Sequence, residues 1–381
     1  MHARMHVTII GTGFASIAAI KQLRKLDALK KLQITVIAPK PCFVHLPSMI
    51  WIPSGLRRAE DVTVDLTNFF KHMQVNYIPA TVAQITHKGR TVITTQGEHI
   101  PNDGLIIASG GTYLQKAPGI EYTLNPCTGL TASERVRDRL QKMPGGTIAF
   151  GFAGNPNEPT AVRGGPMFEF LFGIHTQLKR EKRRQDFKLI FFNPMLEPGK
   201  RLGPKAVKGM LNAMQQRGIE THLGHKIKAF GPDFVRTEGG EFAADMTLFI
   251  PGMRGLPLYE QSDLQLSPGG FIQGDQYCRA EGVMRTYVAG DAANLPGPDW
   301  KAKQGYGAGM QATAAASNLY DELLGRPIGA TYRNELLCVV DTLDRGMFVQ
   351  RSPKLNLILP PMRSMHYIKQ FMEWKNIAPL R

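Results

Sequence analysis

The chain has 381 residues, 43% hydrophobic and 20% charged, ordinary globular proportions that exclude a disordered chain and, at roughly 150 residues per domain, imply two or three domains. No apolar run approaches the roughly 18 residues that a spanning helix needs, which excludes an integral membrane span. The net charge of +15 points to an anionic partner, whether nucleic acid, an anionic membrane surface or an acidic ligand.

In chain order, the opening residues enter a β-rich run without the apolar core of a secretion signal, which predicts a cytoplasmic protein. Residues 5–10 form that strand, Gly11-Thr12-Gly13-Phe14-Ala15-Ser16 follows it, a helix extends to about residue 31, and a second strand covers 33–38. In such a strand-turn-helix-strand unit the first glycine permits the tight turn, the second lets backbone approach a pyrophosphate, and the helix N-terminus offers amide hydrogens and a positive dipole end. Ser16 stands at the third glycine position and is still small enough for close packing. The second strand ends Ala38-Pro39-Lys40, where an acidic residue normally contacts the adenosine ribose; Lys40 either contacts ribose or phosphate or is a solvated loop residue.

Residues 91–95 read as a hairpin strand. Gly104-Leu105-Ile106-Ile107-Ala108-Ser109-Gly110-Gly111 and, far downstream, Thr286-Tyr287-Val288-Ala289-Gly290-Asp291 are apolar strands ending in small residues. Such ends let a backbone cross close to a cofactor, and the Asp291 carboxylate can accept a hydrogen bond from a sugar-alcohol hydroxyl. A second α/β block lies between them: a strand over 145–150, a helix over 168–184 ending in the basic run 179–184, a strand over 187–192, a helix over 205–217 and strand-like pieces to Ile250. Its would-be phosphate loop, residues 151–159, carries two prolines and no GxGxxG, and is unsuited to NAD(P)H. A solvated helix end explains the basic run better than nucleic-acid binding does.

The tail predicts a helix over 362–376. On a helical projection Met365, Tyr367, Ile368, Phe371, Met372 and Trp374 share one half, and Arg363, His366, Lys369, Gln370 and Glu373 the other. An apolar half with Trp and Tyr, basic flanks and no spanning length describes an interfacial helix; the alternative is a helix docked on its own domain or on a second copy. Cys42, Cys127, Cys278 and Cys338 form no CxxC pair, so neither zinc nor a disulfide framework is indicated. Cys42 and Cys278 read as structural thiols, and the histidines show no ligand spacing, so no metal is expected.

The loop at 11–16, the segment Phe43-Val44-His45-Leu46-Pro47-Ser48, Ala108-Ser109-Gly110, Gly290-Asp291, Lys303-Gln304-Gly305, Cys127 and the stretch Cys338 to Gly346 together resemble the flavoprotein disulfide-reductase-like superfamily. Within it the likeness is to the sulfide:quinone oxidoreductases and the flavin subunits of sulfide dehydrogenases. The resemblance implies an α/β, glutathione-reductase-like fold of two Rossmann-like dinucleotide-binding domains plus a C-terminal membrane-interface segment. The parts would be 1–120 and 266–335 for the FAD-binding domain, 121–265 for the second domain, and 336–381 for a flavin-covering, membrane-anchoring segment. It implies FAD held by Gly11, Gly13, Phe14, Ala15, Pro39, Lys40, Pro47, Val82, Ala108, Ser109, Gly110, Gly290, Asp291, Lys303 and Gly305. It also implies a catalytic set of Cys338, Cys127, Glu169, Lys303 and Arg163.

Electrons would pass from a small anionic sulfur donor through FAD to a membrane quinone, at the cytoplasmic face of the membrane, with no nucleic acid involved and a homo-oligomer open. Cys338 is either a nucleophile at the flavin, its pKa lowered by a cation such as Arg163, or a buried inert thiol. Cys127 lies near the flavin edge and could tether it. Lys303, ahead of a helix N-terminus, either stabilises the flavin's pyrimidine edge or is a surface lysine. The sequence departs from the family where the partner cysteine falls on Arg163 and two histidine positions fall on Thr131 and Arg201. A two-sulfur relay is thereby put in doubt, and Arg163 and Arg201 would form a basic pocket, with Glu169 pairing one of them and an anionic donor the other. The rival reading is a type II NADH:quinone dehydrogenase-like flavoprotein, which needs the dinucleotide loop that 151–159 lacks.

Overall fold

The structure, a computed structural model, describes residues 4–381; the first three residues of the segment searched for a secretion signal lie outside the described residues. Its α-helices there are α1 (Phe14–Leu26), α2 (Thr67–His72), α3 (Leu130–Lys142), α4 (Gly165–Arg180), α5 (Pro204–Gln216), α6 (Pro257–Glu260), α7 (Gly305–Leu323) and α8 (Arg363–Ile377).

Strands Thr286–Val288, Gly104–Ile107, His6–Ile10, Gln33–Ala38 and Val75–Pro79 form one sheet in that spatial order, every pair parallel. Parallel strands are covered on both faces and so read as near-continuous apolar runs, which is how HVTII and QITVIA read. Here α1 and α7 pack together against this sheet, with Ile17, Ile20, Leu23, Ala312, Ala315 and Leu319 in the shared core. A second parallel sheet orders Ile219–Leu223, Phe187–Asn193, Gly146–Phe152 and Met246–Ile250. In each sheet the earliest strand, His6–Ile10 or Gly146–Phe152, has a later strand on either side. The crevice at its C-terminal end is where such sheets bind ligands. An antiparallel sheet of Leu336–Asp341, Gly346–Arg351 and Asn356–Met362 leads into α8.

Two helices end earlier than their apolar patterns suggest. The first stops at Leu26 rather than near residue 31, because the Asp27 carboxylate accepts the amides of Lys31 (3.0 Å) and Leu32 (2.8 Å) and pairs with Arg24 at 3.2 Å, which folds the chain into a turn. Helix α4 begins at Gly165, with Pro166 in its first turn where a missing N–H costs nothing, and ends at Arg180. The basic run that follows is only partly the solvated helix end expected. Lys179 to Lys182 are exposed, but the Arg183 guanidinium binds the carbonyls of Leu140 and Met143, and Arg184 binds those of Phe187 and Arg217. These two arginines are structural ties, not a free basic surface.

Helix α8 is docked on its own chain, but by the polar half. His366, Lys369 and Glu373 are buried, while Tyr367 (65% exposed), Trp374 (61%) and Phe371 (58%) face outward. Its inward groups are tied to distant elements: Lys369 pairs with Glu169 of α4, His366 Nδ1 lies 2.7 Å from Asp341 Oδ2, and Glu373 pairs with Arg57 at 2.7 Å. The Trp51 indole N–H donates to the other Asp341 oxygen at 3.0 Å. Among the described residues no helix is long and apolar enough to cross a membrane.

Candidate functional site

Strand His6–Ile10 ends at Gly11, whose φ of +110° and the 2.5 Å that a Cβ would leave to the Ala108 carbonyl oxygen make glycine obligatory there. Its N–H donates to the Ile37 carbonyl at 2.9 Å, so Gly11 locks the turn. Gly13 then starts α1, with no side-chain cap and no acidic residue in the first turn, leaving the first amides without partners from the helix itself. A Cβ on Gly13 would meet nothing within 4 Å.

A cavity of about 1400 Å³ opens over this helix end, larger than the ~300–1,000 Å³ that drug-sized ligands fill. From Gly13, Phe14 and Ala15 it passes Ala108, Gly110 and Gly290 to the start of α7 at Gly305, and its far wall comes from the second sheet's loops and the tail. Helix α7 also begins without a side-chain cap or an acidic first turn. The uncapped N-termini of α1 and α7, with that of α4 on the far wall of the same cavity, fit an extended ligand with anionic or electron-rich groups, as FAD has in its pyrophosphate and its pyrimidine edge.

Of the residues expected to form the site, Gly13, Phe14, Ala15, Pro47, Ala108, Gly110, Cys127, Arg163, Glu169, Gly290, Asp291, Lys303, Gly305 and Cys338 line this cavity. Gly11 and Ser109 stand behind it, the Ser109 hydroxyl bonded to Tyr259 at 2.8 Å. Three others are not among its lining. Val82 is buried in the first sheet's core, and Pro39 and Lys40 sit exposed on the turn after Gln33–Ala38.

Sequence reasoning passed over Lys369 and His45 as site residues. Nothing in the sequence ties Lys369 to a glutamate two hundred positions away, whereas His45 lay inside a segment already singled out. His45 packs on Phe14 and Phe43 with the rings tilted at 59° and 60°, with Nδ1 2.8 Å from Ser48 Oγ and Nε2 3.2 Å from the Asn376 amide. Burial, with Lys369 adding, pulls its pKa down to about 4, so it is a neutral hydrogen-bonding ring.

The charges pair differently from expectation. Arg163 forms an ion pair with Asp291, not with Glu169, and its guanidinium also lies 3.3 Å from the Tyr113 hydroxyl. Burial works against the Arg163 charge, but Asp291 outweighs it and holds the pKa above the usual value. Asp291, expected to face a sugar-alcohol hydroxyl, is thereby engaged by a side chain from the other wall. Glu169 is bound to Lys369 and accepts the Asp341 N–H at 2.9 Å; burial still raises its pKa despite Lys369.

Cys127 and Cys338 are both free, half-buried thiols. Burial pushes Cys127 up to about 11 with Arg163 opposing, and pushes Cys338 up to about 12, Glu169 adding and Lys369 opposing. The cation acting on Cys338 is thus Lys369 and not Arg163, and the net shift is upward, opposite to the activation expected of it. Lys303 is no surface lysine. Its Nζ donates to the carbonyls of Asp291 (3.1 Å) and Ala293 (2.7 Å) and sits 3.8 Å from the Phe271 ring centroid, and burial lowers its pKa to about 8. Among the described residues no group of three or more His, Cys, Asp and Glu could hold a metal.

The family model described as pyridine nucleotide-disulphide oxidoreductase matches residues 5–318. The chain is 26% identical to the sulfide-quinone reductase of Aquifex aeolicus over 98% of this chain and 92% of that protein. It is 29% identical to the NADH dehydrogenase-like protein Rv1812c of Mycobacterium tuberculosis over 75% and 72%. The solved sulfide:quinone oxidoreductase of Aquifex aeolicus superposes with a TM-score of 0.90 at 22% identity, covering 99% of this chain and 91% of that one.

Proposed function

The chain belongs to the pyridine nucleotide-disulphide oxidoreductase family and is an FAD-dependent oxidoreductase, and from that premise we propose that it takes electrons from a small anionic sulfur donor and delivers them to a membrane quinone. The observation that carries this reading is that two free thiols, Cys127 and Cys338, open into the same cavity as the Gly13 helix end. FAD, when bound, supplies the two-electron carrier between donor and acceptor.

The amides that open α1 would hold the pyrophosphate, and Lys303 with the start of α7 would face the electron-rich pyrimidine edge of the ring system. Cys338 rests as a thiol. Glu169 lines the same cavity and acts on Cys338 through its charge, and its own pKa is raised, so Glu169 would be the base that takes the Cys338 proton when a donor engages the sulfur. Lys369 then keeps the pair from accumulating negative charge. With Arg163 where a second redox cysteine would stand, a sulfur chain cannot be stored between positions 163 and 338, and Cys127 is the remaining thiol on the cavity wall among the described residues.

The outward face of α8 carries Tyr367, Ile368, Phe371 and Trp374, with Phe371 stacked on Trp374 at 5.6 Å. An exposed aromatic face of this kind seats in the headgroup boundary of a bilayer, and would bring the quinone to the Lys369 end of the cavity from the cytoplasmic side. Truncation before Met362 should release the protein from liposomes of anionic lipid; if the truncated protein still binds, the anchor lies elsewhere, and a shift from dimer to monomer instead would assign the face to a second copy.

The test of the chemistry is anaerobic flavin reduction with sulfide, thiols, sulfite and NADH. Sulfur donors should bleach the flavin, and Cys338→Ser should abolish that bleaching while FAD stays bound. Bleaching by NADH, with sulfur compounds inert, would replace this reading with the NADH dehydrogenase one.

A further inference from the structure

We propose that the arm of the cavity beside residues 159–162 is an oxyanion subsite anchored by Arg201, holding the charged group of the sulfur donor. The inference rests on the donor class proposed above.

The cations lining the cavity are not equivalent. Arg163 is neutralised by Asp291 and Lys369 by Glu169, whereas Arg201 makes no ion pair among the described residues. Its guanidinium donates to two backbone carbonyls, Pro159 at 2.7 Å and Val162 at 3.3 Å. That uses two of the five N–H donors such a group carries, and the other three have no partner among the described residues. Burial accordingly lowers its pKa, to about 10, with no carboxylate to offset it. A half-desolvated guanidinium left this way favours an anion.

Its position is fixed from behind. Arg201 sits on the turn Lys200–Leu202 between Gly199 (φ +83°) and Gly203 (φ +99°). Its own carbonyl accepts from Arg351 Nη1 at 2.8 Å, and that guanidinium stacks on Trp300 at 5.1 Å. Met195, Val162 and Leu202 contribute apolar surface to the lining of the same cavity, and Lys200 adds a second cation to it. A planar fork in apolar surroundings recognises a carboxylate or a sulfur oxyanion through paired hydrogen bonds, and gains little from a single-centred ion such as hydrosulfide. The glycine-loop end of the cavity, on the other sheet, answers to the pyrophosphate and leaves this arm to the donor.

The experiment is calorimetric titration of the oxidised holoenzyme with thiosulfate, and with cysteine against cysteamine, in the wild type, Arg201→Gln and Arg201→Lys. Thiosulfate should bind the wild type and weaken at least about tenfold in Arg201→Gln, about 1.4 kcal/mol. Arg201→Lys should fall between, since it keeps the charge without the fork, and it also covers the case in which Arg201→Gln misfolds. Cysteine binding better than cysteamine, through Arg201, would identify a carboxylate-bearing thiol; thiosulfate binding without that preference would identify an inorganic sulfur oxyanion. Equal affinities in wild type and both variants, no anion binding to the wild type, or loss of FAD from a folded Arg201→Gln would overturn the subsite. The donor reading fails separately, if thiosulfate binds through Arg201 while no sulfur compound bleaches the flavin.

Discussion

The same strand-loop-helix unit occurs twice, and both loops face the one cavity, but they are built differently. After His6–Ile10 the chain turns on Gly11 and starts α1 at Gly13, with nothing of its own over the helix end. After Gly146–Phe152 it instead runs through Asn155, Pro156 and Pro159, with Arg201 clamped on the carbonyls of Pro159 and Val162. The second unit's helix, α4, pairs its one carboxylate, Glu169, with Lys369 of α8. The parallel sheet provides a crevice in both cases, and the two crevices differ in the loop and in the side chains that lie across it.

The sharpest way to break this contrast is to add the same side chain to both loops. Gly13→Val puts a branched group where nothing in the protein lies within 4 Å, so the apoprotein should fold with unchanged Tm yet lose essentially all its flavin, measured as FAD per chain. Gly154→Val, whose Cβ would stand 3.9 Å from the Val162 side chain, should retain full flavin. Loss of flavin from both, or from neither, would mean that the two units do not differ as described.

Next in size is the scaffold role of the second unit. Lys369→Met leaves Glu169 buried and uncompensated, and chemical denaturation should show a loss of about 3–5 kcal/mol. Adding Glu169→Gln to Lys369→Met should recover much of that loss, because no uncompensated charge then remains. A single variant as stable as wild type would mean that α4 does not carry the tail.

The smallest effect separates the units by pH. Each has a buried histidine whose pKa burial pulls down to about 4, His45 packed on Phe14 of α1 and His175 on α4. Between about pH 6.5 and 4 the unfolded chain binds protons that these folded rings refuse. Stability should therefore be full above pH 6.5 and fall as the pH drops toward 4, by up to about 1.4 kcal/mol per pH unit for each ring. His175→Asn should remove its own share of that slope and leave that of His45; an unchanged slope would show that His175 titrates normally.

Much of the first unit was legible in the sequence, because its signal is local: a strand, two glycines and a helix within twenty residues, with Gln33–Ala38 completing the pattern. That the second loop is built differently was legible too, from Pro156 and Pro159, but not that Arg201 binds its carbonyls. The pairing of the charges was not. Arg163 finds Asp291 and Lys369 finds Glu169 across separations of more than a hundred residues, and a chain position carries no record of which of several carboxylates will face it. The tail shows the limit most clearly. The projection sorted Tyr367, Phe371 and Trp374 from His366, Lys369 and Glu373 correctly, but which half faces inward depends on Glu169, Asp341 and Arg57 waiting beneath it.

That reversed seating of α8 also sets how the attachment responds to temperature. Apolar contacts weaken on cooling because the hydration that drives them changes with a large heat capacity. Lifting α8 from the body would uncover carboxylates, an ammonium, a guanidinium and an imidazole beside the apolar Ile377 and the Trp51 ring, and polar exposure carries a heat-capacity term of the opposite sign. Cooling should therefore loosen this helix less than it would an ordinary amphipathic helix docked by its oily side.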